Sequence, residues 1–234
     1  MSPPPTPPGP ELSLAPPPLT TPQHALEGLR RAIVSGELRP GSRVLQEDVA
    51  AQLGVSVASV REALTVLEQE GQMTYRPRRG YFVTELHVAD LEEIYDLRRV
   101  LETRAVRLAL PLLDDAALQR MRDAALMCAD AVGEANILAE LEANRRFHFS
   151  LLEIPDQPHS MRLVRLLWDS TEPYRALYYN SARERRRSLD AHDRIIAAVG
   201  DRDVERVIAE LDEHRGQALT VLREILSEPE GEVR

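Results

Sequence analysis

A single cysteine, Cys128, stands in a chain of 234 residues. One thiol excludes an internal disulfide framework and any cysteine-rich zinc finger, and its expected role is that of a small buried hydrophobe. Metal chemistry must then come from His, Asp, Glu or Asn. Lysine is missing altogether: all 29 basic residues are arginine, set against 38 acids for a net charge of −9. No stretch approaches the roughly 18 consecutive apolar residues of a membrane span, and the N-terminus lacks the charged and apolar blocks of a signal peptide, so a cytoplasmic protein with no membrane partner is expected. Also missing are a glycine-rich phosphate loop, an HExxH pair and a defensible Ser-His-Asp ordering, which removes the commonest routes to nucleotide hydrolysis, zinc proteolysis and acyl transfer.

What is present divides into unequal parts. Residues 1–22 hold 10 of the 17 prolines and almost no bulky apolar groups, the composition of an extended, solvated tail. From Gln23 the pattern turns helical. Leu26, Leu29, Ile33 and Val34 form one apolar side, and Gly36, Pro40 and Gly41 end it. A short helix over about 46–53 stops at Gly54; Ser56 is placed to cap the next, whose stripe is Val60, Ala63, Leu64 and Leu67 up to Gly71. Met73 to Val83 alternates around Arg76, Pro77, Arg78, Arg79 and Gly80 and reads as a two-stranded hairpin. Helix, helix, turn, helix, hairpin is a winged helix-turn-helix.

The remainder predicts helices at about 88–109, 114–131, 135–153, 158–180, 186–199 and 201–226, whose short connections imply antiparallel neighbours in an all-α bundle. The fold class is therefore mainly α. The boundaries are a tail over 1–22, a winged helix-turn-helix over 23–84, an all-α domain over 85–228 and a C-terminal tail over 229–234.

Charge supports a division of labour. Residues 23–84 carry 8 Arg against 7 acids, whereas 85–234 carry 21 Arg against 30 acids, so only the first segment tolerates a phosphate backbone. In a helix-turn-helix the second helix presents its N-terminal residues to the major groove. Ser56, Ser59 and Arg61 occupy that end, and the hairpin tip offers Arg78, Arg79 and Gly80 to phosphate.

The runs Ile33-Val34-Ser35-Gly36-Glu37-Leu38-Arg39-Pro40-Gly41, Leu53-Gly54-Val55-Ser56, Val60-Arg61-Glu62-Ala63-Leu64 and Arg79-Gly80-Tyr81-Phe82-Val83 resemble the DNA-binding domain of GntR-family transcription regulators. The resemblance covers about residues 25–84. It departs from the family's Ser-Arg-x-Pro-Val-Arg run by placing Val57 and Ser59 where Arg and Pro are usual, which removes a guanidinium that the family aims at DNA.

A second constellation lies in the bundle. Leu141, Asn144, His148 and Leu151 share a helical face, with Asn144 and His148 at i and i+4. His192 leads the stripe Ile195, Ile196 and Val199, and His214 sits on the stripe Val207, Leu211, Ala218 and Leu222. Three inward histidines are expensive to bury unless something shared binds them, and a divalent metal is the natural candidate. Free histidine titrates near 6.5, so such an ion is expected to leave as the pH drops through that region. Tyr174, Tyr178 and Tyr179 are spaced to pack, with hydroxyls toward a pocket; Trp168 and Phe149 read as core; Arg183, Arg185, Arg186 and Arg187 read as a solvated helix start.

Asn144, the Phe147-His148 pair, His192 and His214 resemble the ligand set of the FCD domain that follows the winged helix in the FadR subfamily of GntR regulators. Leu97-Arg98-Arg99-Val100-Leu101-Glu102 resembles the signature of that domain's first helix. The resemblance implies a divalent ion, zinc before nickel or manganese, and a small carboxylate effector. Asn144 stands where Asp is commoner and leaves the ion one charge more positive. Arg98 would grip the effector by a bidentate contact, with an external ion pair to Glu102 at i+4 as the competing role. The reading is a ligand-responsive regulator and not an enzyme: a repressor binding a near-palindromic double-stranded DNA operator as a homodimer. The alternative is a metal-dependent hydrolase or hydratase using the three histidines, but no inward carboxylate offers itself as its base.

Overall fold

The computed structural model describes residues 20–227 except 86 and 180, so the two terminal tails expected from sequence fall largely outside the described residues. Three apolar clusters organise them. The first is formed by helices α1 (Thr21–Val34), α2 (Gln46–Leu53) and α3 (Val57–Gln69) with strands β1 (Arg43–Val44), β2 (Met73–Arg76) and β3 (Gly80–Val83). Ala25, Leu29, Ile33, Val60, Leu64, Leu67, Met73 and Val83 fill it. α1 opens at Thr21, two residues before the periodicity becomes readable, because Gln23 Oε1 accepts the Thr20 backbone N–H at 2.8 Å and closes the first turn. The chain bends by 112° between α2 and α3, within the helix-turn-helix range. Gly54 makes that turn at φ +66°, a conformation glycine adopts without a side-chain penalty.

The wing has one strand more than a hairpin. The sheet order is β1-β3-β2, both pairs antiparallel, with Arg43 opposite Phe82 and Tyr75 opposite Tyr81. β1 is two residues long, too short to show a period of two, which is why alternation does not reveal it.

The second unit comprises α4 (Val88–Ala109), α5 (Asp115–Gly133), α6 (Ile137–Leu152), α7 (Pro158–Tyr179), α8 (Ala182–Gly200) and α9 (Val204–Ser227). Ala105, Val106, Phe147, Val164, Trp168, Ile195, Val199 and Val207 are among its core residues, as expected for Trp168 and Phe149, while Cys128 is buried. α8 starts four residues earlier than its apolar stripe suggests, because Ser181 caps it by accepting the Glu184 N–H. The arginine run thus lies in the first turns of α8; Arg183 is exposed, but Arg185 is largely buried and approaches Glu140 at 4.0 Å.

The two units meet on α7. Val34 packs against the cluster containing Tyr174 and Leu222, and the Tyr174 hydroxyl donates to the Thr84 carbonyl at 3.4 Å. Gly71 approaches Ser170 so closely that a Cβ there would lie 3.2 Å from the serine Cβ, at φ +75°. Pro173 sits inside α7 and withholds the N–H that would bond to the residue four positions earlier, yet the helix continues past it.

Candidate nucleic-acid interface and metal centre

At the start of α3, Ser56 Oγ accepts the Ser59 N–H at 3.1 Å and lies 2.9 Å from Ser59 Oγ. Ser59 is 7% exposed, so it completes the cap rather than facing outward, and only Ser56 of the two serines remains exposed. Val57 packs partly against the first core. Arg61 is exposed one position beyond Val60, with its Nε 3.4 Å from Gln46 Oε1. The wing tip carries Arg78 at φ +62° and Gly80 at φ +88°. Arg79 and Arg76 lie 5.6 and 4.4 Å from the Phe82 ring centroid, which holds both guanidinium groups on the wing. Exposed Arg43, on the unforeseen β1, comes within 3.9 Å of where a Gly80 Cβ would stand. Arg43 and Arg76 were not singled out from sequence; pairing of β1 with β3 is what places Arg43 there. A contact between Thr65 and the Tyr81 hydroxyl at 3.5 Å ties the wing to α3.

In the helical domain, α6, α8 and α9 deliver His148, His192 and His214 to one point, where one ligand atom from each lies within 4.8 Å of the others. All three are buried, as is Asn144, whose Oδ1 lies 3.1 Å from His192 Nε2. Phe147 stacks on His192 with ring centroids 4.0 Å apart and fixes the imidazole plane. Burial, reinforced by the neighbouring histidines and by Arg98 and Arg175, holds His148 well below the ordinary histidine range. Burial and His214 do the same for His192. His214 is pushed down to about 3 by burial and by Arg215, Arg98 and Arg175. All three are therefore neutral at physiological pH, the form that binds metal, and they stay neutral well below the 6.5 expected for free histidine. The buried Nδ1 atoms of His192 and His214 have no hydrogen-bond partner, each a cost of about 1–3 kcal/mol that an ion would relieve where it takes such a nitrogen. The donor set fits a divalent ion of the zinc type, with nitrogen ligands and an amide oxygen.

Beside the histidines is a cavity of about 30 Å³, lined by Arg98, Asn144, His148, Trp168, Arg175 and His214 among others. Tyr178 and Tyr179 border it as well, whereas Tyr174 turns toward the winged helix. Arg98 is here, but its pair with Glu102 is buried rather than external: Nε lies 2.9 Å from Glu102 Oε1, and the two side chains are 5% and 1% exposed. The reason is that Glu102 also accepts from Trp168 Nε1 at 2.8 Å and from Arg215 Nη1. Burial pushes the Glu102 carboxyl up, but the two guanidinium groups outweigh it and hold it below the usual carboxylate range. Arg215, Arg175 and the indole N–H were not legible as site groups, since their convergence depends on how α4, α7 and α9 pack.

Comparison with known proteins places both units. Residues 21–83 match the model of the bacterial regulatory proteins of the gntR family, and residues 93–217 match that of the FCD domain. The chain is 32% identical over 199 residues to the Nta operon transcriptional regulator of Aminobacter aminovorans, covering 83% of this chain and 93% of that one. Among solved structures, E. coli McbR/YncC aligns with a TM-score of 0.77 at 24% identity, over 88% of this chain and 99% of that one. A putative GntR regulator from Rhodococcus sp. RHA1 aligns at 0.74 and 24%, over 89% and 99%. A winged helix joined through α7 to a histidine-lined helical domain, matched along nearly its whole described length, makes this chain a DNA-binding transcription regulator of the GntR family with an FCD domain.

Proposed function

We propose that this regulator is a ligand-responsive repressor whose helical domain holds a divalent ion, zinc first, on Asn144, His148, His192 and His214, and admits a small carboxylate beside it. The observation that carries the reading is the convergence of three buried, neutral imidazoles on one point next to a cavity walled by guanidinium groups. The ion would supply an electropositive anchor there. Its ligands are all neutral, so its full charge would face the cavity and favour an anion. Native mass spectrometry with elemental analysis of the purified protein tests this directly: one ion per chain is expected, and no bound divalent metal, even after zinc addition and desalting, would remove the metal from the reading.

The protein is proposed to work as a cytoplasmic homodimer on a two-fold operator. Leu97 and Val100 on α4, with Leu163 and Leu166 on α7, are large apolar residues 40–63% exposed on helices that touch through Arg104 and Ser160. Such a patch suits a second copy of the same face. Ser56, Arg61, Arg78, Arg79 and Gly80 form the proposed DNA contacts, and Ser59 contributes by fixing the Ser56 cap. Arg61→Ala is expected to cost about 1–3 kcal/mol of affinity for a duplex selected from a random pool, with the fold intact. Gel-shift titration at fixed salt reads the effect, and unchanged affinity would take Arg61 out of the interface. The hydrolase alternative finds no support: the relatives are regulators, and Glu102, the buried carboxylate bonded to the cavity residues Arg98, Arg215 and Trp168, is committed to them.

A further inference from the structure

Three buried arginines border the cavity beside the histidines, and they differ in what balances them. Arg98 is paired with Glu102. Arg215 is paired with both Glu102 and Asp212. Arg175, on α7 and 6% exposed, has no carboxylate within ion-pairing distance among the described residues, and its Nη2 is buried without a hydrogen-bond partner. Its guanidinium lies 4.3 Å from the Trp168 ring centroid, and that of Arg98 lies 4.2 Å from the same centroid. Burial, with Arg98 nearby, holds the Arg175 pKa below its usual value, although Tyr179 and Glu172 act in the opposite direction.

A buried cation without a counter-ion is costly, and stacking on an indole offsets only part of that cost. Arg98 and Arg175 both line the same small cavity, where one anion could balance the charge that Glu102 leaves over. The cavity that Arg175 lines is small, about 30 Å³, which favours a compact oxyanion over a larger one.

We propose that Arg175, rather than Arg98, is the principal anion-gripping residue of this site, and that it selects compact monocarboxylates of the size of acetate. The proposal rests on the reading of the site as an effector pocket. Arg98 is then a positioning residue, held by Glu102 so that its charge faces the ligand while its Nε is already spent. Arg175 offers the open fork, which a carboxylate meets with two parallel N–H···O contacts.

The test uses the full chain loaded with zinc, with acetate as the probe and chloride holding the ionic strength constant. Isothermal titration is expected to show acetate binding weakened at least tenfold in Arg175→Gln, with zinc content unchanged, and weakened less in Arg98→Gln. Propionate and succinate should bind wild type more weakly than acetate. Without acetate, Arg175→Met should melt at or above the wild-type temperature, because it removes an unbalanced buried charge; a structural arginine would give the opposite shift, so a clear fall overturns the proposal even if Arg175→Gln fails to fold. Acetate affinity in Arg175→Gln within twofold of wild type, or no acetate binding by wild type, also overturns it. A wild type that takes up no zinc but binds acetate through Arg175 would refute the metal reading alone.

Discussion

Glu102→Ala is expected to destabilise the helical domain by about 3–5 kcal/mol, the usual result of removing one partner from a buried charge network. Glu102 is 1% exposed and carries two arginines and the Trp168 N–H on its two oxygens. Its loss leaves Arg98 without a counter-ion, Arg215 with only Asp212, and the indole donor unsatisfied in the core. For a chain of this size the melting point should fall by roughly 10 °C. An internal comparison comes from Arg107 and Glu205, whose side chains are 53% and 71% exposed and whose pair spans α4 and α9 just as Arg215 and Glu102 do. Solvent screens that pair, and Glu205→Ala should change stability by less than about 1 kcal/mol. Urea denaturation of both variants decides the matter: similar small losses would mean that the Glu102 network contributes no more than a surface contact.

The same network marks where a sequence stops being informative. Asn144, His148, His192 and His214 could be read because each lies on an apolar stripe of its own helix, and inward direction is a property of one helix at a time. Arg175 and Arg215 also point inward, but an arginine within a helix is ordinarily a solvated residue, and what distinguishes these two is a neighbour on another helix. For Arg98 the i+4 spacing gives the partner but suggests an external pair; the packing of Trp168 and Arg215 on Glu102 makes it a core one. In the winged helix the capping role of Ser56 followed from its place before an apolar periodic run. Burial of Ser59 did not, because a serine three residues into the helix can serve the cap or the groove. The elements missed, β1 and the first turn of α8, are set by pairing and by a cap rather than by any periodic pattern.

Acid should unfold the metal-free protein earlier than its fold alone would suggest, and zinc should postpone that loss. The folded pKa values of all three histidines are depressed, whereas in the unfolded chain each protonates near 6.5. Below 6.5 the unfolded state therefore binds protons that the folded state refuses, so stability is fully present above that pH and declines as the pH falls; for His214 the decline continues to about 3. A histidine that stays neutral in the fold contributes a slope of up to about 1.4 kcal/mol per pH unit below 6.5. Glu140 opposes them: burial raises it to about 7 despite Arg185, so its contribution is present below the ordinary carboxylate pKa and lost as the pH rises through 7. Burial also raises Glu172, a second opposing group, whereas Glu102, held low by Arg98 and Arg215, acts with the histidines; four groups against two leave acid destabilising. Zinc, if held by the native imidazoles alone as proposed, should add about 2.7 kcal/mol at a hundredfold excess over its Kd. Because the folded histidines are already neutral at pH 6, affinity for zinc should stay nearly level between pH 7 and 6, where a solvated histidine site would be losing its ion to protons. Melting curves across pH with and without zinc, paired with zinc titrations at each pH, separate the two effects. A zinc affinity that falls steeply between pH 7 and 6 would show that the folded imidazoles are open to protons, and the dry three-histidine site would then be wrong.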